Sequence, residues 1–130
     1  MSCIGTDTCR GHESVVSMTD NRKTESLPWN PHPKFSGVFL RHLVSGSETG
    51  GRMSLHHVQI YPGCTIGDHA HAGQVEIHDV ISGEGTCILD GKKIPYAPGV
   101  MGIMPADIVH RIDAGEKGML LLATFSPPLV

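Results

Sequence analysis

Apolar residues in this chain recur at alternate positions in short runs, each bounded by glycine, proline or aspartate, and this period of two predicts β-strands. Such runs cover Gly37 to Val44, Met53 to Tyr61, Val75 to Ile81 and Thr86 to Leu89. Others cover Lys92 to Tyr96, Val100 to Met104, Ile108 to Ile112 and Gly118 to Phe125. Asp90-Gly91 between two of them is the strongest short hairpin signal in the chain. No segment carries a sustained helical period and no internal repeat is visible. Short strands at regular spacing with turn signals between them predict an all-β sandwich or barrel.

The first 27 residues are polar and aperiodic, which reads as a tail or a lid. Leu27-Pro28-Trp29-Asn30-Pro31-His32-Pro33 follows, punctuated by proline and carrying the single Trp. It is expected to be an extended arm whose indole packs on the body. The chain then divides into a tail and arm over residues 1–35 and a β-domain over residues 36–130. Were the arm to cross to another subunit, Trp29 would anchor the interface, as buried aromatics often do.

At 130 residues, with 39% hydrophobic and 18% charged positions and 16 glycines, the composition fits one turn-rich folded domain. A net charge of −3 with scattered Lys and Arg gives no basic stripe and argues against a nucleic-acid partner. The longest apolar stretch, Met119 to Phe125, is too short to cross a bilayer, so no membrane association is expected. The N-terminus lacks a basic start and an apolar core of the export type, which leaves a cytoplasmic location as the expectation. There, Cys3, Cys9, Cys64 and Cys87 would stay reduced. Cys3, Cys9 and His12 suggest a soft metal site, but their spacing matches no close-paired zinc pattern. Cys64 and Cys87 read as small residues of the body.

The chemistry concentrates between Gly63 and Gly83, where His69, His71 and Glu76 precede an apolar run; His110 follows a later turn. Histidines at i and i+2 of an extended chain point to one side. Three neutral imidazoles and one carboxylate suit a divalent first-row transition metal with one or two positions open. Without metal, burying this quartet in a small domain would cost several kcal/mol unless each group found a partner.

Gly63-x5-His69-x-His71-x4-Glu76-x6-Gly83 resembles the first cupin motif with every signature position filled. Gly99-x5-Pro105-x-Asp107-x2-His110 resembles the second, after a short spacer, and the likeness spans about residues 36 to 126. The resemblance implies a single antiparallel β-barrel of the jelly-roll type, a homodimer, and one divalent transition metal held by His69, His71, Glu76 and His110. Iron, manganese, nickel, zinc, cobalt or copper would all suit these ligands. Two positions depart from the pattern: Asp107 replaces a glycine, and Ala114 stands where many members carry Asn. Neither position binds metal in the motif, and Asp tolerates turn geometry well.

If Glu76 points into the barrel, so does His78, two residues on. His78 is thus a candidate catalytic acid or base facing the substrate, a residue standing behind the ligands, or an interior group bonded to a backbone carbonyl. His56 and His57 occupy opposite faces of one strand, and apolar Val58 and Ile60 favour His56 as the inward one. His12, His32 and His42 fit no pattern and are expected to be exposed. Met101 and Met104 lie on opposite faces of their strand. Cupins similar to this one include dioxygenases, decarboxylases, lyases and sugar isomerases. The expected function is a mononuclear metalloenzyme, a dioxygenase-type oxidoreductase acting on a small organic substrate. The alternatives are a metal-dependent isomerase or lyase with His78 as base, and a non-catalytic domain that binds or senses a sugar-like ligand. A fold that serves so many chemistries does not name the reaction.

Overall fold

A computed structural model of the protein describes residues 22–130. The expected site at Cys3, Cys9 and His12, and most of the tail, lie outside the described residues. Among the described residues eight strands run in order: β1 (Asn30–Pro31), β2 (Val38–Val44), β3 (Ser54–Ile60), β4 (Thr65–His69), β5 (Val75–Leu89), β6 (Lys92–Tyr96), β7 (Met101–Met104) and β8 (His110–Ser126). All pairings are antiparallel. Among the described residues the only helical elements are single 3-10 turns at Thr24–Ser26 and Gly46–Thr49. No helix there is long and apolar enough to cross a membrane.

The protein is an all-β jelly-roll barrel, and its two long strands explain how one sheet becomes two faces. The first half of β5 pairs with β7 and with the second half of β8, which continues to β3, β2 and β1. The second half of β5 pairs with β6 and with the first half of β8, which also carries β4. Sequence reading divides β5 and β8 into two strands each; in the structure each is continuous, and their pairing shifts register between Val80 and Ser82 and again between Gly83 and Gly85. In β5 the buried side chains are those of Glu76, His78 and Val80, then Cys87; in β8 they are those of His110, Ile112 and Ala114, then Met119, Leu121, Ala123 and Phe125. Even-numbered positions face inward before the shifted stretch and odd-numbered ones after it. An inserted residue exchanges the two faces of a strand, so the shift keeps both halves directed at one core.

Glycine makes the bend possible. Gly83, at φ +81°, lies against Gly118, and a Cβ there would overlap the Gly118 carbonyl. The strands approach so closely that no side chain fits between their backbones. At the end of β5, Asp90 and Gly91 both have positive φ, the two-residue hairpin turn expected from the sequence.

Strand β4 carries the first metal-ligand candidate, yet its Gly67-Asp68 pair conceals it from a reading of apolar alternation. In β3 the alternation is complete: Ser54, His56, Val58 and Ile60 are buried, and the residues between them are only partly so. The core gathers Val38, Val58, Ile60, Ile66, Val80, Tyr96, Met104, Ile112, Met119, Leu121 and Phe125 around the inner end of the site. On the outer side of β2 and β3, Trp29 packs against the body as expected. The Arg41 guanidinium lies 4.2 Å from its ring centroid, and the His57 ring stacks at 6.3 Å.

Candidate metal centre

Three different parts of the chain deliver the four donors to one point. His69 ends β4 and is the direct cross-strand partner of His110, which opens β8. His71 sits in the turn after β4, and Glu76 points inward from β5. One ligand atom from each of His69, His71, Glu76 and His110 lies within 4.8 Å of all the others. The turn is held by Asp107, the residue that replaces the motif glycine. At φ 68° it accepts the Gly73 N–H on Oδ1 at 3.0 Å, while its own N–H donates to the His71 carbonyl at 3.0 Å. Aspartate thus takes the left-handed backbone and adds a bond that glycine could not make.

The protons around this cluster define what fits at its centre. Nδ1 of His69 donates to the Gly67 carbonyl at 2.8 Å, and Nδ1 of His110 to the Ile108 carbonyl at 3.2 Å. A neutral imidazole has one N–H, so both rings present a bare Nε2 lone pair to the centre. Yet Nε2 of His110 lies 3.2 Å from Oε1 of Glu76, and Nε2 of His71 lies 3.3 Å from the same oxygen. For the His110 nitrogen, two acceptors do not attract one another at that separation. Ligands about 2.1 Å from a shared cation are about 3.0–3.4 Å apart at ordinary coordination angles. The donor set therefore fits a metal ion.

Electrostatics point the same way. Burial would raise the Glu76 pKa, but the His110, His71 and His78 rings gathered around the carboxylate outweigh it and hold the carboxyl well below its usual range. Burial lowers the His69 pKa, and the neighbouring His110 and His71 rings add to that against opposing contributions from the Gly67 carbonyl and Glu76. An ionised carboxylate and a neutral imidazole are the metal-binding forms.

His78 makes its contacts with Glu76 and Tyr96. It is 1% exposed and donates from Nε2 to Oε2 of Glu76 at 2.8 Å. Its Nδ1 accepts from the Tyr96 hydroxyl at 2.9 Å. Burial drives the Tyr96 pKa far above the ordinary phenol range, so this hydroxyl keeps its proton. Opposite His78 on β7 stands Gly102, where a Cβ would collide with the Tyr96 hydroxyl. Neither Tyr96 nor Gly102 carried a functional signal in the sequence, because their roles exist only once β5, β6 and β7 are side by side.

A cavity of about 80 Å³ opens beside His69, His71 and Glu76, walled by Leu40, Val58, Ile66, Phe125, Leu129 and His32. His32 and His42 were expected to be exposed, and both expectations are corrected by the structure. His32 is half-buried and lines the cavity, because β1 pairs with β2 and the His32 N–H donates to the Val38 carbonyl at 2.8 Å. His42 is also half-buried, its Nδ1 lying 2.8 Å from Nδ1 of His56. His56 itself is fully buried and also bonds to Ser54 Oγ at 2.7 Å. Leu129 reaches the cavity through its N–H, which donates to Ser54 Oγ at 2.8 Å. Met104 is buried and Met101 is exposed, on opposite faces as expected, and neither lines this cavity.

A jelly-roll barrel with three histidines and a glutamate converging at its centre defines a class of protein. A cupin domain model matches residues 56–125, and the chain belongs to the cupin family. A relative from Thermotoga maritima named oxalate-binding protein is 28% identical over 88 residues, covering 66% of this chain and 73% of its own length. A predicted oxalate decarboxylase of the same organism superposes with a TM-score of 0.77 at 22% identity, over 82% of this chain and 98% of that one. KdgF from Halomonas sp. superposes with a TM-score of 0.74 at 20% identity, over 85% of this chain and 94% of that one. At these identities the structural likenesses establish the fold.

Proposed function

We propose that this cupin is a mononuclear metalloenzyme, an oxidoreductase of the dioxygenase type acting on a small oxygen-bearing molecule. The observation that carries the reading is the proton arrangement at His110, whose Nδ1 is committed to Ile108 while Nε2 faces the Glu76 carboxylate. His69, His71, Glu76 and His110 would hold the metal, which when bound supplies a Lewis acid and redox centre with open positions.

The protein's own groups do the rest. His78 fixes one Glu76 oxygen, so the other is aimed at the centre, and Tyr96 fixes the His78 tautomer. His78 is on this reading a positioning residue acting through Glu76, not a substrate-facing base. The apolar wall of Leu40, Val58, Ile66 and Phe125 limits water at the site and admits only a compact molecule. A homodimer belongs to the same proposal, supported by the exposed Met101, Ile103 and Ile81 on β7 and β5.

Binding without turnover is the second reading. It draws support from the name of the Thermotoga maritima relative and from a cavity whose sole polar wall residue beyond the candidate ligands, among the described residues, is His32. Metal analysis of protein purified without added metal, with His71→Ala as control, separates the possibilities. Near-stoichiometric iron, with oxygen uptake on adding small hydroxy or oxo acids, would support the oxygenase. A bound metal with ligand affinity but no turnover under any loading would leave the binding domain. Wild-type protein unable to take up a divalent metal would end both.

A further inference from the structure

Among the described residues His32 is the single polar group on the cavity wall beyond the candidate ligands, and its ring is set by the backbone. Nδ1 accepts from the Lys34 N–H at 3.0 Å and from the Phe35 N–H at 3.3 Å. A ring nitrogen that accepts carries no proton, so in the neutral ring the hydrogen lies on Nε2. Nε2 has no hydrogen-bond partner among the described residues, on a ring that forms part of the cavity wall. The ring is braced as well: it packs on Phe35 at 4.8 Å, which in turn packs against His69 at 6.2 Å. Burial, aided by Lys34, lowers its pKa and favours this neutral donor form.

The rest of the wall limits the ligand's charge. Leu40, Val58, Ile66, Phe125 and Leu129 are all apolar, and among the described residues no Lys or Arg lines the cavity. A divalent cation and one glutamate leave a single positive charge at the centre. One anionic group offsets it; a second, pressed against leucine and phenylalanine, would lose its hydration with nothing in return. At about 80 Å³ the space suits a molecule of a few non-hydrogen atoms.

We propose that His32 is a specificity-determining residue that donates from Nε2 to an oxygen of a small, singly charged oxygen chelator with an apolar remainder, such as a short 2-hydroxy monocarboxylate. The inference rests on the metal reading above and names the substrate class for that site.

The test uses the full chain loaded with zinc, with L-lactate and L-malate as probes in titration calorimetry. Both chelate through the same 2-hydroxycarboxylate, and malate differs by a second carboxylate in place of lactate's methyl hydrogen. Lactate is expected to bind at least about tenfold more tightly than malate. Equal affinities, or no lactate binding by zinc-loaded protein, would overturn the ligand class. His32→Asn keeps an acceptor for the Lys34 and Phe35 amides but cannot reach as far, and it should weaken lactate binding about 10- to 100-fold. His32→Gln places an amide donor near the Nε2 position and should stay within about threefold of wild type. Zinc content is expected to be one per chain throughout, so wild-type protein that binds no zinc would mark failure of the metal reading instead. Unchanged lactate affinity in zinc-loaded His32→Asn would overturn the role of His32. A metal-free readout completes the set: ¹⁵N shifts of the His32 ring should show a proton on Nε2, and a proton on Nδ1 would overturn the proposal.

Discussion

The Tyr96 hydroxyl lies 2.9 Å from Nδ1 of His78, which holds Glu76 through its other nitrogen at 2.8 Å. A buried relay of three side chains from β6 and β5 thus ends on the carboxylate of a candidate metal ligand. Tyr96→Phe deletes the donor and strands a buried nitrogen, so about 1–3 kcal/mol of stability should disappear. His78→Gln should weaken metal binding about 10- to 100-fold by loosening Glu76. Urea unfolding and competition with a metal-indicator dye measure the two effects. Wild-type values in both variants would show that the relay is incidental.

The four donors should differ in what they cost. The His71 side chain is 22% exposed, whereas that of His110 is 1% exposed. His71→Ala is therefore expected to abolish metal binding while the metal-free protein keeps nearly its full stability. His110→Ala should lose the metal and also about 2–3 kcal/mol from the cavity left in the core. A chelator should lower the thermal midpoint of wild type, since binding at a hundredfold above Kd adds about 2.7 kcal/mol. Mass spectrometry for metal and thermal melts with and without chelator decide this.

His56 makes stability depend on pH. Burial, with a smaller contribution from His42, lowers its pKa from 6.5 to about 4. The unfolded chain then binds a proton in a range where the folded chain does not, so stability rises with pH between about 4 and 6.5. It is fully present above 6.5 and is lost as the solution is acidified toward 4. The loss attributable to His56 is on the order of 1–3 kcal/mol. His56→Gln should flatten that dependence in denaturant titrations at pH 7 and pH 4.5. An equally steep profile in the variant would assign the effect to other groups.

Gly83→Ala tests the strand crossing. A methyl group would strike the Gly118 carbonyl and also meet a positive φ. A destabilisation of roughly 2–4 kcal/mol is expected by chemical unfolding. Gly91→Ala, where nothing lies within 4 Å of the added atom, should cost only its backbone strain, about 1 kcal/mol. Similar losses at the two positions would contradict the close-packing argument.

Asp107 offers a comparison with its own motif. Asp107→Gly relieves the left-handed backbone and loses the bond to Gly73, so a net change within about 1 kcal/mol is expected. Asp107→Ala loses the bond and keeps the strain, and should be the less stable of the two by about 1 kcal/mol. Thermal melts of the pair give the order directly.

Much of the architecture was legible because alternation is a local property. The β3 pattern through Ser54, His56, Val58 and Ile60 predicts both the strand and its inward face. The reading missed β4, whose Gly67-Asp68 breaks the apolar rhythm, and divided β5 and β8 where their pairing shifts register. Such shifts look like turns in a sequence, since both are marked by glycine and a change of period. The four candidate ligands were legible because the motif spacing names them. His32 and His42 were misread because their burial depends on strands distant in sequence.

By itself the sequence determined the all-β class, the inward faces of strands such as β3 and the four candidate donors that the fold gathers, all consequences of spacing along one chain. Only tertiary structure decided that His78 contacts Glu76, that Tyr96 and Gly102 complete its surroundings, and that His32 closes a small apolar cavity. Those relationships join residues through cross-strand pairing and burial, and neither quantity is encoded at any single position.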